Sequence, residues 1–241
     1  MKMGRYSLAE HVHVCVNDEH VVLLDLKQDR YWALEAASTT PLSGLVPGWP
    51  VKAFDAPVAG SSDPEQAEQI AAGLLEQGIL TDQATGGKDA TPVRIVAPAR
   101  ELLSADGYRS ARVGAGAART LLAAALSAKL ALRFRPFATV VQGFIDRKRK
   151  AGGRTQLDTE RARELVEAFF RLRVFFFSSR SECLFDSLTL LNFLARYGIT
   201  ADWVFAVQAR PFAAHCWVQL DDVVFNDTVE HVTGYTPIMV V

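Results

Sequence analysis

Cys183, His215 and Asp227 carry, in that order, the residue types of a complete acyl-transfer centre. Cys183 follows Ser179-Arg180-Ser181-Glu182, which reads as a helix start. Ser179 with Glu182 three residues on is a capping-box pattern, and Ser181 is a second candidate cap. Either one puts Cys183 in the first helical turn, where the positive end of the helix dipole favours an anion. The thiolate is the nucleophilic form of cysteine, and a helix N-terminus beside an imidazole lowers a thiol pKa. His215 lies in the alternating stretch Ala214-His215-Cys216-Trp217-Val218, and Asp227 ends the next apolar run, Val223-Val224-Phe225-Asn226-Asp227. A carboxylate on the far ring nitrogen fixes the tautomer and orientation of an imidazole. The expected chemistry is attack by the Cys183 thiolate on an acyl carbon, with His215 moving protons and Asp227 orienting it.

These side chains need a helix and a hairpin to meet. Leu184, Leu188, Leu191 and Leu194 form an apolar stripe of helical period behind Cys183, and Gly198 is the stop. Strands are expected at 201–208, 213–220 and 223–227. Successive strand side chains alternate faces, so His215 and Asp227 must share one. A two-residue turn at Asp221-Asp222 would set Asp227 opposite Cys216, so an odd-length loop or a bulge is expected in this hairpin. Cys216 then points away from His215 and reads as core. Gln208 and Gln219 are candidate donors to an oxyanion, with no spacing rule to select either.

The chain changes character near residue 84. Upstream, 11–16, 20–25 and 30–34 read as a three-stranded antiparallel meander with polar turns, and 35–45 as a short helix. Asp63-Pro64 opens a helix over 64–77 that Gly78 stops, with Ile79-Leu80 as an apolar lock. Residues 81–92, with Gly86-Gly87, read as a polar linker. The expected division is 1–84, a linker at 85–92, and a second domain over 93–241. In that second domain 100–103, 115–134, 137–150 and 159–174 read as helices, with Arg135-Pro136 breaking the middle pair. The Ala-rich stretch 113–132 contains Arg119 and Lys129 and reads as a buried helix pair, not a membrane span.

Composition narrows the function classes. At 241 residues the chain holds one large domain or two small ones, and a net charge of −1 offers no general attraction to nucleic acid or anionic membrane. Residues 64–77 carry three Glu and no basic residue, which argues against a phosphate-tracking recognition helix. The start, Met1 to Ser7, leads into a polar alternating stretch and not an apolar signal region. Three cysteines without disulfide-like spacing fit a reducing cytoplasm. His11, His13 and Cys15 share a strand face but lack a fourth metal ligand, so no metal and no cofactor is expected. Arg147-Lys148-Arg149-Lys150 reads as a solvated helix end, with docking of an acidic peptide or a partner protein as the alternative; Phe169-Phe170 and Phe175-Phe176-Phe177 read as core, with a substrate-pocket role for one of them as the alternative.

Against this background the chain resembles a known family. Cys183-Leu184-Phe185-Asp186-Ser187-Leu188, the His215-Cys216-Trp217-Val218 strand and Asn226-Asp227 resemble the lasso-peptide B proteins, transglutaminase-like leader peptidases. The spacings are similar too: 32 residues (215 − 183) from Cys to His and 12 (227 − 215) from His to Asp. Val21-Val22-Leu23-Leu24-Asp25, Tyr31-Trp32-Ala33-Leu34 and Leu74-Leu75-Glu76-Gln77-Gly78-Ile79-Leu80 resemble the PqqD-like recognition element of ribosomally made peptides. The resemblance implies an α+β chain: a winged-helix-like module of three antiparallel strands plus helices, then a papain/transglutaminase-like domain of helices followed by antiparallel sheet. It implies a leader peptidase with a Cys183-His215-Asp227 triad. The first domain would bind the precursor's leader as an added strand, with Tyr31, Trp32, Ile70 and Leu74 near the groove. The freed core would pass to a separate, asparagine-synthetase-like lasso cyclase. A transglutaminase that joins Gln to an amine uses the same triad and is the second reading. A non-catalytic precursor-binding chaperone is the third.

Overall fold

The computed structural model is an α+β fold in which three-stranded antiparallel sheets precede a set of helices and a final sheet. It describes residues 5–51, 64–83, 85–103, 114–152, 158–176 and 183–241. The chain divides into two units: Met1–Arg94 with Val207–Ala213 and Thr236–Met239, and Ile95–Ala206 with Ala214–Tyr235 and Val240–Val241.

In the first unit, β1 (Ser7–Ala9) is followed by β2 (Val12–Asn17), β3 (His20–Asp25) and β4 (Arg30–Glu35). The last three form the expected meander, with Cys15 opposite Val22 and Leu23 opposite Trp32. Asp18 and Asp29 take positive φ in its two turns, a conformation Asp tolerates. The Asp25 carboxylate accepts the N–H groups of Lys27 (2.8 Å) and Gln28 (3.0 Å) and sets the second turn. The expected short helix is α1 (Ala36–Thr39) continuing as a 3₁₀ turn over Thr40–Gly44.

Helix α2 (Pro64–Glu76) ends at Gly78, φ 70°. Ile79 N–H reaches Leu74 O and Gly78 N–H reaches Leu75 O, and buried Ile79 and Leu80 close the stop on the core. Asp63, the expected cap, lies outside the described residues.

The sequence reading missed a small sheet. β5 (Leu80–Thr81) and β6 (Gly87–Lys88) flank β1, both antiparallel. Gly87 is required there, because a Cβ would fall 2.5 Å from that of Ser7. Ala90 is buried in the same core as Val12, Leu23, Leu74 and Ile79. The stretch read as a linker thus carries a strand and a core residue.

In the second unit β7 (Arg100–Glu101) precedes α3 (Ala115–Phe134), α4 (Phe137–Lys150), α5 (Thr159–Phe176) and α6 (Cys183–Ala195). Then come β8 (Asp202–Gln208), β9 (Ala213–Leu220), β10 (Val223–Val224) and α7 (Val229–Thr233), and the chain continues into β11 (Thr236–Val240), whose Thr236–Met239 belong to the first unit. The strands form one sheet in the order β11-β8-β9-β10-β7. Arg100–Glu101 was expected to be helical. Parallel pairing with β10 and the Arg100–Asp222 ion pair outweigh its helix propensity.

Helix α6 is the centre of this unit. Leu188, Leu190, Leu191, Phe193 and Leu194 are all buried, so the stripe seen in the sequence widens to most of its circumference. Each such side chain contributes about 1.5–3 kcal/mol on burial. Helix α3 packs on α6 and buries Leu121, Ala124, Ala125 and Ala128. Its other side exposes Leu122, Leu126, Leu130 and Phe134. The expected buried helix pair is therefore one helix with one buried face. Among the described residues it is the one helix whose length and composition would allow it to cross a membrane; Arg119, Lys129 and Arg133 interrupt it.

Candidate active site

Cys183 is the first residue of α6, half-buried at the helix start. Ser179, Ser181 and Glu182, the expected capping residues, lie outside the described residues. His215 stands on β9, and Asp227 follows β10. The His215 Nε2 and Asp227 Oδ2 atoms are 2.5 Å apart, each side chain 15% exposed. With Nε2 so engaged, Nδ1 is the nitrogen left for Cys183, to which His215 is hydrogen-bonded.

The hairpin reaches this geometry in an unexpected way. Its turn is a plain two-residue one, with Leu220 opposite Val223 and Gln219 opposite Val224. It contains neither the odd loop nor the bulge expected. Instead, β10 ends at Val224, after which Phe225 N–H still reaches Val218 O. The Asn226 side chain then accepts the Val218 N–H at 2.8 Å, the place a further strand residue would have taken. Residues 225–227 bend away from the ladder, and that bend delivers Asp227 to His215.

The electrostatics separate the roles. Cys183 is pulled down to about 4, first by the hydrogen bond of the Cys216 thiol; burial opposes this, and His215 and the Cys216 backbone N–H add to it. For His215 burial is the largest influence and lowers the pKa, but hydrogen bonds to Asp227 and Cys183 outweigh it and raise the imidazole to about 9. Asp227 is likewise opposed first by burial, yet its bonds to His215, Thr228 N–H and His231 hold it below the ordinary value. The result is a thiolate–imidazolium pair at neutral pH. Cys216, 3% exposed, is driven far above the usual thiol value by burial and is the protonated partner.

Cys216 is core as expected, but its sulfur also meets α6. It lies 3.9 Å from Ser187 Oγ, one helical turn beyond Cys183, while Ser187 Oγ donates to Cys216 O at 3.2 Å. Other neighbours of the triad carry no role in the sequence reading. Asp186 pairs with Arg173 at 3.1 Å, and Asn226 Nδ2 reaches Ser187 Oγ at 3.1 Å. Burial raises the Asp186 pKa despite Arg173. His231 Nδ1 lies 2.9 Å from Asp227 Oδ1, and Tyr235 has its ring centre 5.2 Å from that of His215. The Asp-x-x-x-His spacing was the one available sequence signal for His231.

Other candidates fall elsewhere. Gln219 Nε2 donates to Val96 O and Asp221 O while its Oε1 accepts from Trp217, so its amide is committed away from Cys183. Gln208 Nε2 donates to Arg210 O. In the first unit Trp32, Ile70 and Leu74 pack on one core, whereas the Tyr31 ring meets Phe212 at 5.5 Å. His13 is pushed down to about 3 and Cys15 up to about 12, both by burial. Among the described residues the clustered metal-type donors are His215, Asp227 and His231, within 4.8 Å of one another, and two hydrogen bonds to the Asp227 carboxylate already join them. Arg147 donates to Asn192 Oδ1 at 2.9 Å and Lys148 pairs with Asp202, so half of the basic run is tied into the fold. Phe169 is fully buried; the side chains of Phe175, Phe176 and Phe177 lie outside the described residues.

A thiolate at a helix start, an imidazolium beside it and a carboxylate behind that can form and resolve a thioester. Comparison of the chain with curated proteins, and with solved structures, gave no match. Residues 122–240 match the family model described as Transglutaminase-like superfamily, a span that includes α6 and the hairpin with all three side chains. The C-terminal part of this chain is therefore similar to domains of the transglutaminase-like superfamily.

Proposed function

We propose that the protein is a leader peptidase of lasso-peptide biosynthesis, which hydrolyses the leader–core bond of a ribosomal precursor through Cys183, His215 and Asp227. The observation that carries this is the hydrogen-bonded chain from Cys183 through His215 to Asp227 inside the transglutaminase-like domain. The first unit supports the leader-binding half. Strand β4 is an edge of the β2-β3-β4 sheet, so a leader can add to it as a fourth strand. Trp32, Ile70 and Leu74 share the core beneath, and together with Tyr31 are the proposed leader contacts. The module is read as PqqD-like on its sequence motifs.

The reaction needs no proton transfer before attack. The Cys183 thiolate adds to the carbonyl carbon of the last leader residue, and the carbonyl electron pair moves to oxygen. N–H groups of the first turn of α6, which lack intrahelical acceptors, stabilise that oxyanion. His215 gives its Nδ1 proton to the core nitrogen as the C–N bond breaks, which frees the core amine and leaves the leader as a thioester. Neutral His215 then takes a proton from water, the resulting hydroxide attacks the thioester, and the C–S bond breaks to return the thiolate. Asp227 holds the imidazole throughout. The freed core passes to an ATP-dependent lasso cyclase. The setting is cytoplasmic.

The name of the matching superfamily favours one competing reading, transfer of a Gln acyl group to an amine. Mass spectrometry of precursor peptide incubated with wild type and Cys183→Ala, with and without cyclase and ATP, tests the proposal. It expects leader and core fragments with wild type alone. Gain of the mass of an added amine less one ammonia, without cleavage, is the transglutaminase outcome, and product formation by Cys183→Ala would remove both readings.

A further inference from the structure

Asp227 carries two imidazoles. His215 Nε2 takes Oδ2 at 2.5 Å, and His231 Nδ1 takes Oδ1 at 2.9 Å. Oδ1 also accepts the Thr228 N–H at 2.8 Å. The spacing is built into α7: Thr228 is its N-cap, and the Thr228 hydroxyl accepts the His231 N–H at 3.2 Å. The His231 ring lies 4.8 Å from that of His215 and 5.4 Å from that of Tyr235.

The terminal torsion of an Asp side chain is soft and roughly two-fold. A carboxylate held mainly through one oxygen can turn and carry that oxygen off its partner. We propose that His231 is a positioning residue whose Nδ1–H clamps the second oxygen of Asp227, so that Oδ2 stays on His215 while the imidazole gains and loses its proton. This rests on the Cys183-centred reading above. His231 donates the same hydrogen bond whether neutral or protonated. Among the described residues, the other ionisable groups around Asp227 and His231 are Cys183, Asp186 with its partner Arg173, Tyr235, Glu230 on α7, and Glu101, which accepts the Val229 N–H.

The test compares wild type, His231→Ala and His231→Asn. The Asn side-chain nitrogen can occupy the place of Nδ1, whereas Ala leaves Oδ1 to Thr228 alone. Two readouts are taken: kcat and KM for precursor cleavage, and the pH profile of Cys183 alkylation by iodoacetamide, which needs no peptide. His231→Ala is expected to lower kcat about tenfold with KM unchanged and to move the upper inflection of the alkylation profile down by about one unit, as His215 loses an oriented carboxylate. His231→Asn is expected to restore both. Equal behaviour of Ala and wild type, or of Ala and Asn, overturns the clamp; so does a wild-type profile without an upper inflection. A wild type with both inflections that cleaves no precursor overturns the leader-peptidase reading instead, and the alkylation arm still decides the role of His231.

Discussion

Nε2 of His215 lies 2.5 Å from Oδ2 of Asp227, which turns the opposite ring nitrogen towards Cys183 and makes the imidazole both proton store and counter-ion. The sign of the resulting pH dependence follows from two shifts. Cys183, lowered to about 4, gains its proton as pH falls through that value and the nucleophile is lost. His215, raised to about 9, loses its proton as pH rises through that value, and the acid needed by the leaving amine is lost. Cleavage should therefore hold a plateau between these limits and fall on both sides. A pH–kcat/KM profile checks this; a single rise near the ordinary thiol value would mean that no ion pair forms.

Asp227→Asn should cut kcat by roughly a hundredfold or more, because an amide can present the wrong atom to Nε2 and no longer stabilises the imidazolium. Folding should be little affected, since Asp227 sits beyond the end of β10. Steady-state kinetics with a parallel thermal melt separate the two effects.

Cys216→Ala removes the hydrogen bond that contributes most to the low Cys183 pKa. The lower inflection of Cys183 alkylation should move up, towards the ordinary thiol range, while the upper one stays. The small cavity left against Ser187 should cost about 1 kcal/mol in denaturant unfolding. An unchanged lower inflection would assign the thiolate to His215 alone.

Arg173 and Asp186 form a largely buried ion pair, their side chains 22% and 14% exposed. Arg173→Met leaves the carboxylate without its cation, and loss of one partner of such a pair typically costs about 3–5 kcal/mol. The double variant Arg173→Met, Asp186→Leu should recover much of that, which a double-mutant cycle of unfolding free energies measures.

The elements legible in the sequence were those with a local cause. Alternating apolar residues over 12–35 specify the meander, Pro64 and Gly78 bracket α2, and Arg135-Pro136 separates α3 from α4. The order of Cys183, His215 and Asp227 was legible because each stands beside an element boundary or within a strongly periodic run. The missed features depend on partners distant in sequence. Arg100–Glu101 is a strand only through β10. Asp227 reaches His215 because the Asn226 side chain, not another strand residue, takes the Val218 N–H. Strand parity turns Cys216 away from His215 but cannot reveal that α6 brings Ser187 and Cys183 against it.

The most direct test of the central claim is the mass of the enzyme after a rapid acid quench of the reaction with precursor peptide. The mechanism predicts an adduct equal to the leader acyl group, mapped to Cys183 and absent from Cys183→Ala, with free core appearing at the same rate. An adduct equal to the intact precursor less one ammonia, and no free core, would contradict hydrolysis of the leader–core bond and assign the same thiolate to Gln acyl transfer.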